Sequence, residues 1–411
     1  MNISRGTINH KINEDFQAFC KSLFSKKACK RVSISTKTAL ENKISLYFKG
    51  YPSFLVPYAR TGLYFILKSL NLPPGSRILM TPFNIAPMLN IFEECGYIVE
   101  FVDINLRDFG PNYDDLKRKI ASKPKIFFLT YLFGYVPDIE KIVNLCKEHK
   151  VPIIEDISQN IGSKYNNKLL GTFGEATIYS ASLTKYVDGY NGGFIITKNT
   201  SLAKEIKNQT NTLREPSHKR IKSIICKTLI WNLALNNLLF NYLTFDSLRI
   251  LRIFSKRTFN KLLGGSVIKY RNKNIPRFYL EDICEIQSET INKNLDKLDC
   301  LIKKRRDYYK RVTLASSDKL TIDNLMTSDR FNIFWQCLLK VKDTEKSREI
   351  LFKNGIETGT TNLPNLANLN NQNLPNAIKL KEEHIFIPMH NYLKVEDYTR
   401  MFSILRDHNQ I

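Results

Sequence analysis

The chain has 411 residues, enough for two or three domains. Hydrophobic residues make up 43% and charged residues 25%, an ordinary globular balance that excludes a wholly disordered or fibrous protein. The departure is charge: 62 Lys and Arg against 39 Asp and Glu leave +23, which points to nucleic acid, an anionic membrane surface or an anionic substrate.

Residues 1–39 hold eight basic and two acidic side chains, so 1–40 reads as a basic N-terminal extension. Its opening, MNISRGTINHKINEDF, lacks a continuous apolar run, and no signal peptide is expected. From residue 58 short β-rich runs alternate with helical periodicity. Helices are predicted at Thr61–Leu70, Pro87–Cys95, Tyr113–Ser122, Ile139–His149 and Ser201–Thr210. Strands are predicted at Arg77–Met80, Ile98–Asp103, Lys125–Thr130, Pro152–Asp156, Ala176–Ser182 and Gly192–Thr197. Several of these strands are apolar throughout, as parallel strands covered on both faces are. Residues 41–215 therefore read as an α/β layer domain that binds ligands at the carboxyl ends of its strands.

Residues 216–273 break the rhythm. The stretch 228–245, TLIWNLALNNLLFNYLTF, is 18 residues without a charge. Asn232, Asn236, Asn237 and Asn241 interrupt it, so a span needing about 20 mainly apolar residues is not expected. Between 219 and 273 lie twelve basic residues and one acid, Asp246. Two readings stand: an amphipathic segment lying on a membrane, or a helical insertion packed on the protein's own surface or at an oligomer interface.

Beyond residue 276 the chain is helical to Val312. A strand-like run follows at Phe331–Val341, then a helix near Thr344–Asn354. An Asn-rich surface loop at 362–376 and a last helix after Lys394 complete it. This predicts a smaller C-terminal α+β domain over 274–411. The eight cysteines form no C-x-x-C and mostly fall in apolar segments, which suits a reduced, cytoplasmic protein. No metal is expected, since the six His show no ligand spacing. Phosphate-loop, dinucleotide and serine-hydrolase motifs are missing too.

Three segments at strand ends could carry chemistry. In Ile153-Ile154-Glu155-Asp156-Ile157-Ser158-Gln159, two acids end an apolar strand, where a carboxylate is costly without a cation; Asp156 could equally cap a helix. In Ser180-Ala181-Ser182-Leu183-Thr184-Lys185, a lysine sits in a hydroxyl-rich turn between two apolar strands. Hydroxyls suit a phosphate, and a shielded lysine can serve as a nucleophile; otherwise it is a surface residue. Tyr58-Ala59-Arg60-Thr61-Gly62 opens a helix whose N–H groups could bind phosphate, or Thr61 is an ordinary cap. Together these match pyridoxal 5′-phosphate (PLP), which needs a lysine, an acid on its ring nitrogen and donors on its phosphate.

Eight segments follow one another in order: ARTGLYFILKSL, PPGSRILMTPF, ECGYIVEFVDI, PIIEDISQNIGSKY, GTFGEATIYSASLTK, GGFIITK, NGIETG and IPMHNYL. In these, from about residue 41 to the C-terminus but omitting 216–273, the chain resembles the DegT/DnrJ/EryC1/StrS sugar aminotransferases. The resemblance implies a type I (aspartate aminotransferase-like) PLP fold, with a large, mostly parallel sheet domain and a smaller C-terminal domain. By position, Lys185 matches the Schiff-base lysine and proton carrier, and Asp156 the acid on the ring nitrogen. Gln159 matches the residue near the ring hydroxyl, Ser180 the serine on the phosphate, and Arg60-Thr61 the pair that also holds it. The family commonly has Gly at Arg60. Its aromatic over the ring aligns with Ile85, leaving Phe83 as the candidate. Arg277 and Tyr279 stand where an Asn and an Arg usually reach across the dimer. Lys185 is retained where the deoxygenating branch has His.

The implied function is transfer of an amino group, from glutamate, to a nucleotide-linked keto sugar for surface polysaccharide or lipopolysaccharide, by a homodimer. The rivals are a PLP sugar dehydratase and a non-catalytic member that binds a membrane or partner. Residues 219–273 are expected to contact the inner face of a membrane. Nucleic acid is not an expected partner, since no recognition motif accompanies the charge.

Overall fold

A computed structural model describes residues 1–255, 257–259, 275–316, 327–361 and 363–411. The large domain is built on nine strands: β1 (Ser53–Val56), β2 (Arg77–Met80), β3 (Ile98–Phe101), β4 (Ile126–Thr130), β5 (Ile153–Asp156), β6 (Lys164–Tyr165), β7 (Lys168–Leu169), β8 (Ala176–Ser180) and β9 (Gly193–Thr197). Seven of them form one sheet in the order β1-β9-β8-β5-β4-β2-β3, and every pairing that does not involve β9 is parallel. Successive side chains of a strand enter opposite layers. Ile78, Phe128 and Ile178 join one core, while Leu79, Phe127, Leu129 and Tyr179 join the other. Burial on both faces is why these strands read as unbroken apolar runs.

The predicted elements recur with shifted ends. α3 (Ala59–Leu70) starts before Thr61 because Tyr58 is the last extended residue. α4 (Ala86–Glu94), α5 (Tyr113–Ile120), α6 (Ile139–Glu148) and α7 (Thr200–Asn211) lie at the expected places. Strand β1, between Pro52 and Pro57, was not anticipated; it pairs antiparallel to β9 at the sheet edge.

Residues 1–40 are woven into the protein. α1 (Ile12–Phe24) packs on α8 (His218–Ala234), and α2 (Ile34–Tyr47) packs on β1. The strap before α1 reaches the other end of the chain: Ile3 pairs with Ile356, and Arg5 Nε lies 3.4 Å from Glu357 Oε1.

The insertion is α8 followed by α9 (Asn237–Phe254), bent by 61°. Neither helix alone is long and apolar enough to cross a membrane, although the bent pair passes that test together. The segment packs on the protein's own surface, as one of the two expectations had it. Ile221, Ile225, Thr228 and Asn232 of α8 are buried, and Phe240, Phe245 and Leu248 pack with Phe352 of the C-terminal part. Yet Leu238 (68%), Tyr242 (82%) and Phe254 (85%) are left exposed. Lys256, Lys261, Lys269, Arg271 and Lys273 lie outside the described residues.

The C-terminal part combines α10 (Glu285–Asp296), α11 (Leu298–Ala315), α12 (Thr344–Lys353), α13 (Pro375–Glu383) and α14 (Val395–Asp407) with a hairpin of β11 (Cys337–Lys340) and β12 (His384–Ile387). β10 (Arg330–Phe331) joins the small β6–β7 sheet. The Asn-rich segment lies only partly at the surface, with Asn368, Leu369, Asn371 and Asn373 exposed. Leu366, Ala367 and Leu374 are buried, and Gln372 Oε1 accepts from Phe101 N at 2.9 Å. Leu366 and Leu374 anchor it to the core, Asn365 serves a local turn at Ala367 N, and Asn376 Nδ2 donates to the Ile104 carbonyl at 2.8 Å.

Candidate active site

Parallel topology gathers the ends of β4, β5 and β8 at one edge. The two acids of β5 point to opposite faces. Glu155 is a structural staple: its carboxylate accepts from Tyr131 Oη (2.7 Å) and from the N–H groups of Gly171, Phe173 and Gly174 (2.9, 2.9 and 2.7 Å). Asp156 turns to the other face and is held at both oxygens. Oδ1 accepts from Ser158 N at 3.0 Å, and Oδ2 from Asn84 Nδ2 at 3.1 Å. Asn84 also donates to Thr130 Oγ1 at 2.8 Å, which fixes its amide.

Lys185 lies in the turn after β8, partly exposed at its surface yet surrounded by protein. Its Nζ sits 4.0 Å from the centre of the Trp335 ring. Burial lowers its pKa to about 8, against the opposing pull of the Asp156 and Asp188 carboxylates. Such an amine is poised to ionise near neutrality. Trp335 comes close because Gly134 carries no Cβ. A Cβ there would lie 2.3 Å from Trp335 N and 2.8 Å from Phe334 N, and Gly134 adopts φ +85°. Trp335 Nε1 in turn donates to the carbonyl of Thr184 at 3.1 Å. Thr184 holds φ +73°, rare for a β-branched residue, and Asp188 Oδ2 accepts its N–H at 3.1 Å.

Hydroxyls cluster beside Lys185. Ser158 Oγ accepts from Ser180 N, and Ser180 Oγ donates to Ser182 Oγ, both at 3.1 Å. Ser180 pairs with Gly193, whose Cβ position would fall 3.1 Å from Ala59 N, so the start of α3 adjoins the end of β8. There the Arg60 guanidinium is stacked between Tyr58 and Tyr279, 4.0 and 4.3 Å from their ring centres. Its Nε is buried without a hydrogen-bond partner, and no carboxylate pairs with it among the described residues. A half-buried cation without a carboxylate beside it suits an anion such as phosphate.

Other sequence-derived residues are engaged elsewhere. Thr61 Oγ1 donates to the Tyr279 carbonyl at 2.7 Å, so its hydroxyl is spoken for. Phe83 is wholly buried in the larger core and presents no open face. Gln159, also buried, accepts Phe133 N at 2.7 Å through Oε1. Tyr279 covers the start of α3 of its own chain, whereas Arg277 is exposed. Reasoning from sequence missed Asn84, Asp188 and Trp335. Nothing local marks them: Asn84 reads as the lead into α4, and Trp335 is distant in sequence. An open surface cavity of about 600 Å3 at Arg77, Ile98 and Gln372 lies by the amino ends of β2 and β3, away from these groups.

Asp156, Lys185, the serines and Arg60 fit PLP: an acid for the ring nitrogen, an amine for the aldehyde and, for the phosphate, hydroxyls with a cation that no carboxylate pairs among the described residues. The Thr61 hydroxyl is engaged by the Tyr279 carbonyl, and Phe83 is wholly buried.

The model of the DegT/DnrJ/EryC1/StrS aminotransferase family matches residues 11–238, taking in α1 and all of α8, where the motifs alone suggested a start near 41. GDP-perosamine synthase of Vibrio cholerae is 26% identical over 156 residues, 38% of this chain and 42% of that protein. The pleiotropic regulatory protein of Geobacillus stearothermophilus is 29% identical over 169 residues, 41% and 45% of the two chains. The chain thus spans less than half the length of these curated relatives. Among solved structures, E. coli GDP-4-keto-6-deoxy-D-mannose-3-dehydratase with bound hydrated PLP superimposes with a TM-score of 0.73 at 15% identity, over 98% of this chain and 99% of that one. The Helicobacter pylori aminotransferase involved in pseudoaminic acid biosynthesis gives 0.72 at 16%, over 100% and 99%. The fold is that of type I PLP enzymes, and PLP is the family's cofactor. With the family model matching more than half of its residues, the chain belongs to the DegT/DnrJ/EryC1/StrS aminotransferase family.

Proposed function

We propose that the chain is a PLP-dependent aminotransferase that passes an amino group, taken from glutamate, to a nucleotide-linked keto sugar used in surface polysaccharide or lipopolysaccharide. The observation that carries this is Lys185, an amine with a pKa of about 8 in the field of Asp156 and Asp188. Several relatives bear the names of nucleotide-sugar aminotransferases, which supports the substrate class.

PLP bound here supplies an electron sink for charge that develops at the amino-bearing carbon. The protein's own groups do the rest. Asp156, aimed by Asn84 and Ser158, holds a proton on the ring nitrogen. Lys185 Nζ takes a proton from the reacting carbon and returns it. The Ser180–Ser182 pair and Arg60 grip the phosphate. As purified, the protein should absorb as a lysine-bound PLP, and borohydride should fix the cofactor's mass on Lys185. Transamination by a Lys185→Ala protein would overturn the assignment.

A dehydratase is the second reading, favoured by the likeness to sugar dehydratases. The lysine at 185 speaks against it, and assaying products with and without glutamate separates the two. Failure to retain PLP would instead favour a non-catalytic, partner-binding member, a reading to which Ile85, Arg277 and Tyr279 lend weight.

We further infer a cytoplasmic homodimer resting on the inner face of a membrane. The exposed Leu238, Leu239, Tyr242 and Leu243 at the α8–α9 bend, with Lys219, Lys227 and Arg249 exposed nearby in sequence, support this. Flotation with vesicles of neutral or anionic lipid tests it. Equal recovery with both would remove the electrostatic part, and sedimentation measures the dimer.

A further inference from the structure

A buried cluster outside the chemistry described above centres on His10. Its Nδ1 lies 2.8 Å from Asp15 Oδ1, and its Nε2 3.8 Å from Asp188 Oδ1. All three side chains are almost wholly buried. Two carboxylates so placed repel one another unless a cation stands between them. From its side of the cluster, α1 offers Asp15 and, at its first turn, Glu14, which is itself held by Lys293 and Lys297 of α10 and its C-terminal end (2.8 and 3.0 Å). The Lys185 loop offers Asp188 and Tyr190. α8 offers only the neutral Asn232.

Each neighbour adds a directed bond. Tyr190 Oη donates to Asp15 Oδ1 at 2.6 Å. Asn232 Nδ2 donates to Asp15 Oδ2 at 2.7 Å and to the His10 carbonyl at 3.0 Å. Asp188 accepts the N–H groups of Thr184 and Tyr190, so it closes the turn that contains Lys185. One residue earlier in the strap, Asn9 Nδ2 donates to the Lys185 carbonyl at 2.9 Å. Further along the strap, Asn2 bonds Asn241 of α9. The loop itself holds left-handed φ at Thr184, Tyr190 and Asn191. Such a backbone persists only where its surroundings over-determine it.

We propose that His10 is a positioning residue for Lys185, the central post of a clamp through which the N-terminal strap and α8 hold the loop that carries the lysine. His10 touches neither the amine nor any reacting atom. When protonated, it offsets the charge of Asp188, 3.8 Å from its Nε2, and so bears on both the shape of the loop and the negative potential felt at Nζ. The insertion is thereby tied to the active site, since Asn232 of α8 is part of the same clamp.

This rests on Lys185 being the reactive lysine, so the test reads the amine directly and not turnover. The full chain, freed of cofactor, is labelled with acetic anhydride across pH, and modification of Lys185 is compared by mass spectrometry with that of exposed Lys123. In His10→Gln, the charge of Asp188 is no longer offset. The Lys185 amine should then titrate about one unit higher, and label about tenfold more slowly below pH 8. Asn232→Ala should shift the profile the same way by less. In the cofactor-loaded protein, the pH midpoint of the PLP absorbance should move for the same variants. A folded His10→Gln protein whose Lys185 profile equals the wild type overturns the proposal, whatever its melting temperature. If His10→Gln does not fold, Asn232→Ala and Asp15→Asn decide by the same readout. Failure of borohydride to fix PLP on Lys185 would count against the aminotransferase and leave this measurement intact.

Discussion

Asp156 is aimed by a side chain that no motif marks. Asn84 spends both amide hydrogens, one on Thr130 and one on Asp156. Replacing it by Ala leaves the Asp156 carboxylate with a single directed donor. A lost hydrogen bond to a buried charged group costs about 1.5–3 kcal/mol. Asn84→Ala should therefore lower kcat about tenfold or more and leave KM for the amino donor nearly unchanged; steady-state kinetics at saturating PLP will show this. Lys185 gives a pH prediction. Its pKa is depressed to about 8, so its amine is charged below that value and free above it. The rate at which the cofactor-free chain captures PLP should rise with pH through about 8 and then level off. A profile still climbing toward pH 10 would mean the lysine is not shielded. Arg60, which replaces the family's usual Gly, belongs at the same scale. Arg60→Gly should release PLP at least about tenfold faster, as expected when one charge-assisted phosphate contact is lost, and dialysis followed by absorbance measures it.

At the scale of elements, the alternation of apolar strands with helices of 3.6 period was legible because both faces of the sheet are buried. The runs around Phe127–Leu129 left no other reading. Strand β1 was not legible, since a four-residue edge strand between prolines has too few positions to show a period. Asp156 could be found because it ends a strand, and Lys185 because it lies in the hydroxyl-rich turn that follows one. Asn84, Trp335 and His10 could not, since they reach the site from distant parts of the chain by tertiary packing alone. The insertion shows the limit from the other side. Its lack of charge over 228–245 did not tell whether it faces protein or lipid, and in the structure one face does meet protein. That leaves the exposed face free to be tested. Tyr242 and Phe254 are largely exposed, and surface changes of this kind move stability by only about 0.5 kcal/mol. A Tyr242→Ser, Phe254→Ser double variant should melt like the wild type yet lose most of its recovery on anionic vesicles. Undiminished recovery would remove these two side chains from the contact.

For the whole molecule, the charge of +23 bears on the proposed membrane contact more than on the proposed chemistry, and two buried imidazoles give a prediction for stability toward acid. His384 packs edge-on to Phe109, and His390 is stacked on Tyr392 with Nε2 2.5 Å from the Ser4 carbonyl oxygen. Burial lowers both pKa values from 6.5 to about 4. The unfolded chain takes up protons at these groups below about 6.5 while the folded chain does not, so stability falls as pH drops from 6.5 through 4. Each such shift is worth about 3 kcal/mol when complete. His10 acts with the opposite sign. Its pKa is raised by the carboxylates that outweigh its burial, so its contribution is present below 6.5 and is lost as pH rises through its folded value. Glu14, lowered to about 2, enters only below 4.5. Between 6.5 and 4, His384 and His390 destabilise as pH falls, while Asp108, Asp188 and Glu357, raised by burial, act with the opposite sign. His384→Phe, which keeps an aromatic ring beside Phe109, should flatten the decline in chemical-denaturation midpoint across that window while leaving the midpoint at pH 7.5 nearly unchanged. His390→Gln should flatten it further at some cost at neutral pH, since the Ser4 contact weakens and with it the hold of the strap on the C-terminal part. If both variants decline as steeply as the wild type, carboxylates rather than imidazoles govern the acid limit of the fold.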